Sequence, residues 1–168
     1  NRAVKVFPKN AQFLKLLGQL HINLQQYSDS RHALERYLEL YPHDMEIKNL
    51  LAKVYFNLGV ALAKEDSNEQ ALTYFRKSVD LDSANMDAYT NIAALMIKLK
   101  DYQGARHHLE SSIEKYPFNY NLRKALFDVL LKLEEYETAL PLLEDIYNHN
   151  PDDIGLALQL ALFYRYLN

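Results

Sequence analysis

The chain has 168 residues, 49% apolar and 24% charged, with 19 Lys+Arg against 22 Asp+Glu for a net charge of -3. That length can bury one substantial core, and the slight acidic excess argues against a nucleic-acid partner, whose phosphates require a basic surplus. Zero Cys excludes disulfide frameworks, Cys-held metals and thiol nucleophiles, and no apolar run approaches the ~20 residues of a membrane span.

Four Gly and five Pro leave few turns, and the Leu/Ala/Lys/Glu-rich remainder favours helix over strand. The first segment, 1–10, starts without Met and without a signal-peptide pattern, so the chain is expected to be processed or cut from something longer. Its text VKVFPKN (Val4 to Asn10) reads as a helix end stopped by proline, and that text returns along the chain. It reappears as LELYPHD (Leu38 to Asp44), VDLDSAN (Val79 to Asn85, Ser83 in the proline slot), IEKYPFN (Ile113 to Asn119) and IYNHNPD (Ile146 to Asp152). Pro8 and Pro42, Ser83 and Pro117, and Pro117 and Pro151 are each related as i to i+34, while Ser83 follows Pro42 at i+41, seven later.

Each unit reads as two helices. In 11–44 the pattern is carried by Leu14, Leu17, Gly18, Ser30, Leu34 and Tyr37 before Pro42. The seven extra residues, MEIKNLL (45–51), continue an apolar stripe through Ile47, Leu50, Leu51, Val54, Tyr55 and Leu58. They therefore predict one long helix over 45–64, lengthened by about 10 Å. A heptad insert keeps the face whichever end it joins; extension at the start is preferred because Gly59 then falls in the small-residue slot. The insert is either a tolerated addition or a ridge that reshapes one end of a binding surface.

Unit 52–85 repeats the layout with Tyr55, Leu58, Gly59, Ala71, Phe75 and Ser78. In 86–119, Tyr89, Ile92, Ala93, Leu95 and Met96 recur at helical spacing, Lys100-Asp101-Tyr102 breaks it, and Ala105, Leu109, Ser112 and Ile113 resume it. Unit 120–153 follows with Leu126, Ala139, Leu143, Ile146 and Pro151. The last segment, 154–168, reads as the first helix of a further unit. Apolar residues fill 11 of its 14 positions over 154–167, so it wants cover on more than one side, unlike the polar cap of a finished array. The expectation is a segment of a longer array, or a homo-oligomer closed through this helix.

A 34-residue helix–turn–helix period with small residues at Gly18, Gly59, Ala93, Ala71, Ala105 and Ala139 resembles the tetratricopeptide repeat family. The resemblance covers nearly the whole chain; Ser30 for Ala and Phe127 for Gly or Ala are its departures. It implies an all-α fold, a right-handed superhelical solenoid of antiparallel helix–turn–helix hairpins in a single array.

Chemistry-bearing clusters are sparse. His107, Glu110 and Glu114 share a helix face with metal-like spacing, but a solvated convex face explains them as well. His21 falls in an apolar slot and reads as a packed histidine, and Glu134-Glu135 and Asp152-Asp153 sit where helix ends are expected. Tyr27, Tyr102 and Tyr136 recur at one position near the hairpin turn, as packing residues do. No Gly-rich phosphate loop, nucleophile elbow or triad spacing is present, so the reading is non-catalytic, with no cofactor and no metal.

The resemblance further implies which positions line the concave groove. They include Lys15 and Gln19 in the first full unit, and Lys53, Phe56, Asn57, Val60 and Lys64 in the second. Asn91, Ala94 and Lys98 come from the third, and Lys124, Asp128 and Lys132 from the fourth. Asn57 and Asn91 hold one slot, where an amide can both donate to and accept from a peptide backbone. Lys64, Lys98 and Lys132 form a column that, with Lys15, Lys53 and Lys124, favours an acidic ligand. The family's carboxylate clamp fits poorly: Gln19 replaces an Asn, while Asp87 and Asn91 stand where cations belong. The favoured function is therefore a protein-interaction scaffold that holds a peptide or partner segment in this groove. The alternatives are an assembly element of a larger complex, or the targeting arm of a larger enzyme.

Overall fold

A computed structural model describes residues 10–167; of the helix end expected over 1–10, only Asn10 lies within them. Among the described residues the fold is all-α, with nine helices: α1 (Ala11–Asn23), α2 (Tyr27–Leu40), α3 (Met45–Lys64), α4 (Asn68–Leu81), α5 (Met86–Lys98), α6 (Tyr102–Lys115), α7 (Tyr120–Lys132), α8 (Tyr136–Asn148) and α9 (Ile154–Leu167). The chain divides into two compact units, Asn1–Asn91 and Ile92–Asn168, with the boundary inside α5.

Local signals set where each helix starts and stops. The first helix of each pair begins at an Asn or Asp whose side chain accepts the N–H three residues on: Asn10 from Phe13, Asp44 from Ile47, Asn85 from Ala88, Asn119 from Leu122 and Asp153 from Leu156, at 3.0–3.2 Å. Such caps satisfy donors that the helix itself leaves unpaired. The turns inside the pairs are also alike. Gln25, Asp66, Lys100 and Glu134 sit at φ 56°, 57°, 61° and 59°, a left-handed conformation that costs a non-glycine residue about 1–2 kcal/mol. Two bonds close each turn: in the first, Gln25 N–H donates to the Ile22 carbonyl and Gln26 N–H to the His21 carbonyl, both at 2.8 Å. This is the Schellman arrangement, which consumes orphan carbonyls of the preceding helix.

These markers locate the extra residues. Cap and left-handed residue are related as i to i+15 in Asn10–Gln25, Asn85–Lys100 and Asn119–Glu134, but as i to i+22 in Asp44–Asp66. From each left-handed residue to the next cap the step is always i to i+19. All seven extra residues therefore fall within α3, which has 20 residues where α1, α5 and α7 have 13.

In the unit Asn1–Asn91, α1 packs on α2, α2 on α3 and α3 on α4. Leu34, Ile47, Leu51, Val54 and Tyr55 form a buried cluster, flanked by Tyr27, Tyr37 and Tyr74. Two buried serines are satisfied: Ser30 Oγ donates to the Gly18 carbonyl and Ser78 Oγ to the Ala52 carbonyl, both at 2.9 Å. Ser30 thus departs from alanine without cost, because its hydroxyl bonds across to α1. In the unit Ile92–Asn168, α6 packs on α7, α7 on α8 and α8 on α9 around Leu109, Leu122, Leu126, Phe127, Leu130 and Leu143. Phe127, at a small-residue slot, is fully buried and packs at a tilt against Phe163 of α9, ring centroids 5.5 Å apart.

Gly18 and Gly59 mark the closest approach of paired helices. A Cβ on Gly59 would stand 2.8 Å from the Phe75 ring, and one on Gly18 would stand 2.3 Å from Leu34 Cδ2. In both pairs the small residue and its large partner are related as i to i+16, so α3 keeps the register of α1, and its additional turns are amino-terminal. Two effects compete at Gly59. Alanine would improve helix propensity by about 1 kcal/mol, but overpacking a buried ring costs about 1–3 kcal/mol. We expect Gly59→Ala to destabilise the chain by about 1 kcal/mol in urea titration, and an unchanged or raised midpoint would refute the close crossing.

Candidate functional site

The residues expected to line the groove divide between the two units, and none of them lies in the core. In the first unit, α1 carries Lys15 and Gln19; α3 carries Lys53, Phe56, Asn57, Val60 and Lys64; and the start of α5 carries Asn91. Asn57 Nδ2 donates to the Lys53 carbonyl at 2.8 Å, and Asn91 Nδ2 donates to the Asp87 carbonyl at 2.7 Å. Both amides thus adopt one pose, with one N–H tied to their own helix. That bond leaves the second N–H and the amide oxygen as the groups through which each could hold a ligand. Phe56 is half-buried and lies 5.5 Å from the Phe75 ring, so it belongs as much to the α3–α4 packing as to the surface.

Lys15 is not an isolated cation. Its Nζ donates to Glu46 Oε2 at 2.7 Å, and Glu46 sits in the first turn of α3, within the extra residues. The Lys15 pKa is raised, first by this bond and further by the charges of Glu46 and Asp44. Asp44 beside it caps α3 through Ile47 N–H and accepts the Tyr37 hydroxyl at 2.8 Å. The Tyr37 bond, and then the Ile47 bond, hold the Asp44 carboxyl below its ordinary value of 3.8. The same bond to Asp44 shifts the Tyr37 hydroxyl up.

In the second unit, Ala94 and Lys98 lie on the rest of α5, and Lys124, Asp128 and Lys132 lie on α7. Lys124 Nζ stands 3.8 Å from Asp128 Oδ1. Of the six lysines expected to favour an acidic ligand, Lys15 and Lys124 thus stand beside carboxylates, at 2.7 and 3.8 Å. Lys64, Lys98 and Lys132 each occupy the last turn of a helix, where a cation also complements the carbonyl end of the helix dipole. An open pocket of about 270 Å³ lies beside Lys124, lined also by Tyr120, Asp153, Gly155, Leu156 and Gln159. Sequence reading missed Tyr120 and Gln159; extending the inner-position count onto α9 would have found Gln159.

Several of the remaining candidates have structural partners. Arg106 bonds Glu110 at 2.8 Å and both oxygens of Glu135 at 2.7 Å. This accounts for Glu110 and Glu135. Among the described residues, no group of three His, Cys, Asp or Glu could hold a metal ion. His21 is half-buried, its Nδ1 2.7 Å from Gln26 Oε1. Tyr136 packs edge-on against Tyr166 at 5.1 Å and Phe163 at 6.2 Å. On α9, Ile154, Leu158 and Leu162 are 83%, 60% and 54% exposed, whereas Tyr164 bonds Glu144. No described helix is long and apolar enough to cross a membrane.

Three family models, each described as Tetratricopeptide repeat, match residues 1–54, 52–85 and 87–119. No curated protein matches the chain. Among solved structures, a MamA RS-1 double mutant is 18% identical, with 94% of this chain and 85% of that chain covered and a TM-score of 0.60. MamA residues 41-end from Desulfovibrio magneticus RS-1 is 19% identical, covering 91% and 82% at a TM-score of 0.58. The Arabidopsis OM64 TPR domain is 17% identical, covering 71% and 98% at a TM-score of 0.61. At these identities the likeness is one of fold, an all-α solenoid of helical hairpins.

The Asp44 network has a pH signature. A carboxyl whose pKa is depressed by folding stabilises the folded state fully above its unfolded value, and that contribution is lost as pH falls through the folded value. Asp44→Asn keeps a capping oxygen but removes the charge. Its stability deficit relative to the wild type should therefore shrink from about pH 5 to about pH 3; a deficit constant across urea titrations over that range would show that the charge plays no part.

Proposed function

This chain belongs to the tetratricopeptide-repeat family, and from that premise we propose that it is a protein-interaction scaffold that captures a peptide segment of its partner on the inner face of its first helices. The observation that carries the reading is the shared pose of Asn57 and Asn91, one repeat apart and both in the first unit. Two amides presented alike on the first helices of consecutive repeats can bond the backbone of an extended segment, while side chains beside them choose its sequence. Val60 and the exposed edge of Phe56 offer apolar contact. Lys53 and Lys64 are exposed and have no ion pair among the described residues, which favours an acidic segment and its electrostatic steering. The second unit offers a separate pocket at Lys124, Tyr120 and Gln159, suited to a second contact with the same chemistry. The reading assigns no reaction to any of these residues.

Binding is measured by anisotropy of fluorescein-labelled hexaglutamate with the full chain at low salt. Asn57→Ala combined with Asn91→Ala should weaken capture about tenfold, which corresponds to about 1.4 kcal/mol. Unchanged affinity would move the ligand to another face.

A second reading, self-association through α9, is supported by the exposure of Ile154, Leu158 and Leu162 at four-residue spacing. Tyr166 is less suited to this role because its ring packs on Tyr136. If α9 is the contact, Leu158→Gln with Leu162→Gln should abolish any larger species in a sedimentation series. A sedimentation coefficient that is the same for both proteins at every concentration would reject it.

A further inference from the structure

We propose that Glu46, carried on the extra turns of α3, is an internal occupant of the binding face: its carboxylate holds at Lys15 the place an acidic side chain of a captured segment would take. The inference rests on the groove reading and concerns the selectivity of that same surface. Lys15 and Lys124 hold the fifth position of their respective repeats, yet their surroundings differ. Lys124 lines an open pocket and meets Asp128 of its own helix at 3.8 Å. Lys15 is engaged at 2.7 Å by a residue far along the chain, on a different helix.

That contact exists because α3 begins seven residues early. Its register is set at Gly59 against Phe75, so the added turns run past the shared helical segment and bring Glu46 to α1. Helix physics alone asks only for an acidic residue in the first turn; it does not require that residue to reach Lys15. The occupant is also built to leave. The Glu46 side chain is 65% exposed and the Lys15 side chain 25%, and an exposed ion pair is worth only a few-fold in an equilibrium. Asp44 stays behind, pinned by Tyr37 and by the Ile47 N–H, so this end of the face retains negative charge when Glu46 swings out. A singly acidic segment gains little by displacing Glu46, whereas a segment with several carboxylates that also engages Lys53 and Lys64 can replace it. Glu46 thus acts as a threshold that sorts acidic segments by charge.

The test uses the full chain and labelled hexaglutamate. Glu46→Gln should tighten binding about threefold or more, Lys15→Gln should change it little, and the Glu46→Gln, Lys15→Gln double variant should return to the wild-type value. No tightening in Glu46→Gln overturns the inference. So does a double variant as tight as Glu46→Gln, because the gain would then reflect net charge. If Lys53→Gln with Lys64→Gln weakens binding while Glu46→Gln changes nothing, the internal occupant is rejected and the groove reading stands. Failure of every form to bind hexaglutamate rejects both.

Discussion

The close crossing of two helices at a fixed register is the constraint on which the rest of the molecule depends. Gly18 lies under Leu34 and Gly59 under Phe75, both pairs related as i to i+16 and both too close to admit a methyl group without movement. Such a crossing needs a turn of invariant length between the helices. Four left-handed residues supply it, although none of them is glycine. Their backbone strain persists because the turn bonds and the packed hairpin over-determine it. Once the crossing is set, the face opposite it on each first helix is left accessible, and Asn57, Lys53 and Lys64 occur there.

Much of this is legible in the residues. Proline and small-residue periodicity identifies the hairpins, and the apolar stripe from Ile47 to Leu58 predicts a helix over 45–64, the range that α3 occupies. The capping residues are equally visible in principle, since Asn10, Asp44, Asn85, Asn119 and Asp153 keep the intervals of the proline slots two positions before them. One turn is visible in position, as the break at Lys100-Asp101-Tyr102, but the backbone conformation of the turns is not. Gln25, Asp66, Lys100 and Glu134 share a conformation and no chemistry, because tertiary packing rather than propensity imposes it. Phe127 shows the same limit: a bulky residue at a small slot is resolved by Phe163 from α9, a contact no local pattern announces.

The candidate site is legible in position and obscure in state. Counting along the repeat puts every candidate residue outside the core, which needs only helical geometry. Whether a lysine there is available depends on contacts over long sequence distances. By repeat position Lys15 is the counterpart of Lys124, and only the folded chain places Glu46 across from it. Coulomb attraction between exposed groups is weak, so the sequence carries little signal for such pairs. A small change in helix length nonetheless decides which pairs form.

Lys64, Lys98 and Lys132 show how the fold by itself can call for a cation at a candidate position. Lys64, Lys98 and Lys132 each close a first helix, where their charge meets a cluster of carbonyl dipoles. That benefit is local and accounts for the 34-residue spacing without any ligand. The same placement leaves each ammonium group exposed at the end of its helix's accessible face. Stability therefore explains why the cations recur, and steering of an acidic chain belongs to the proposed function alone. The two roles separate by range: the dipole contact is confined to the last turn, whereas steering acts over a Debye length and fades with salt.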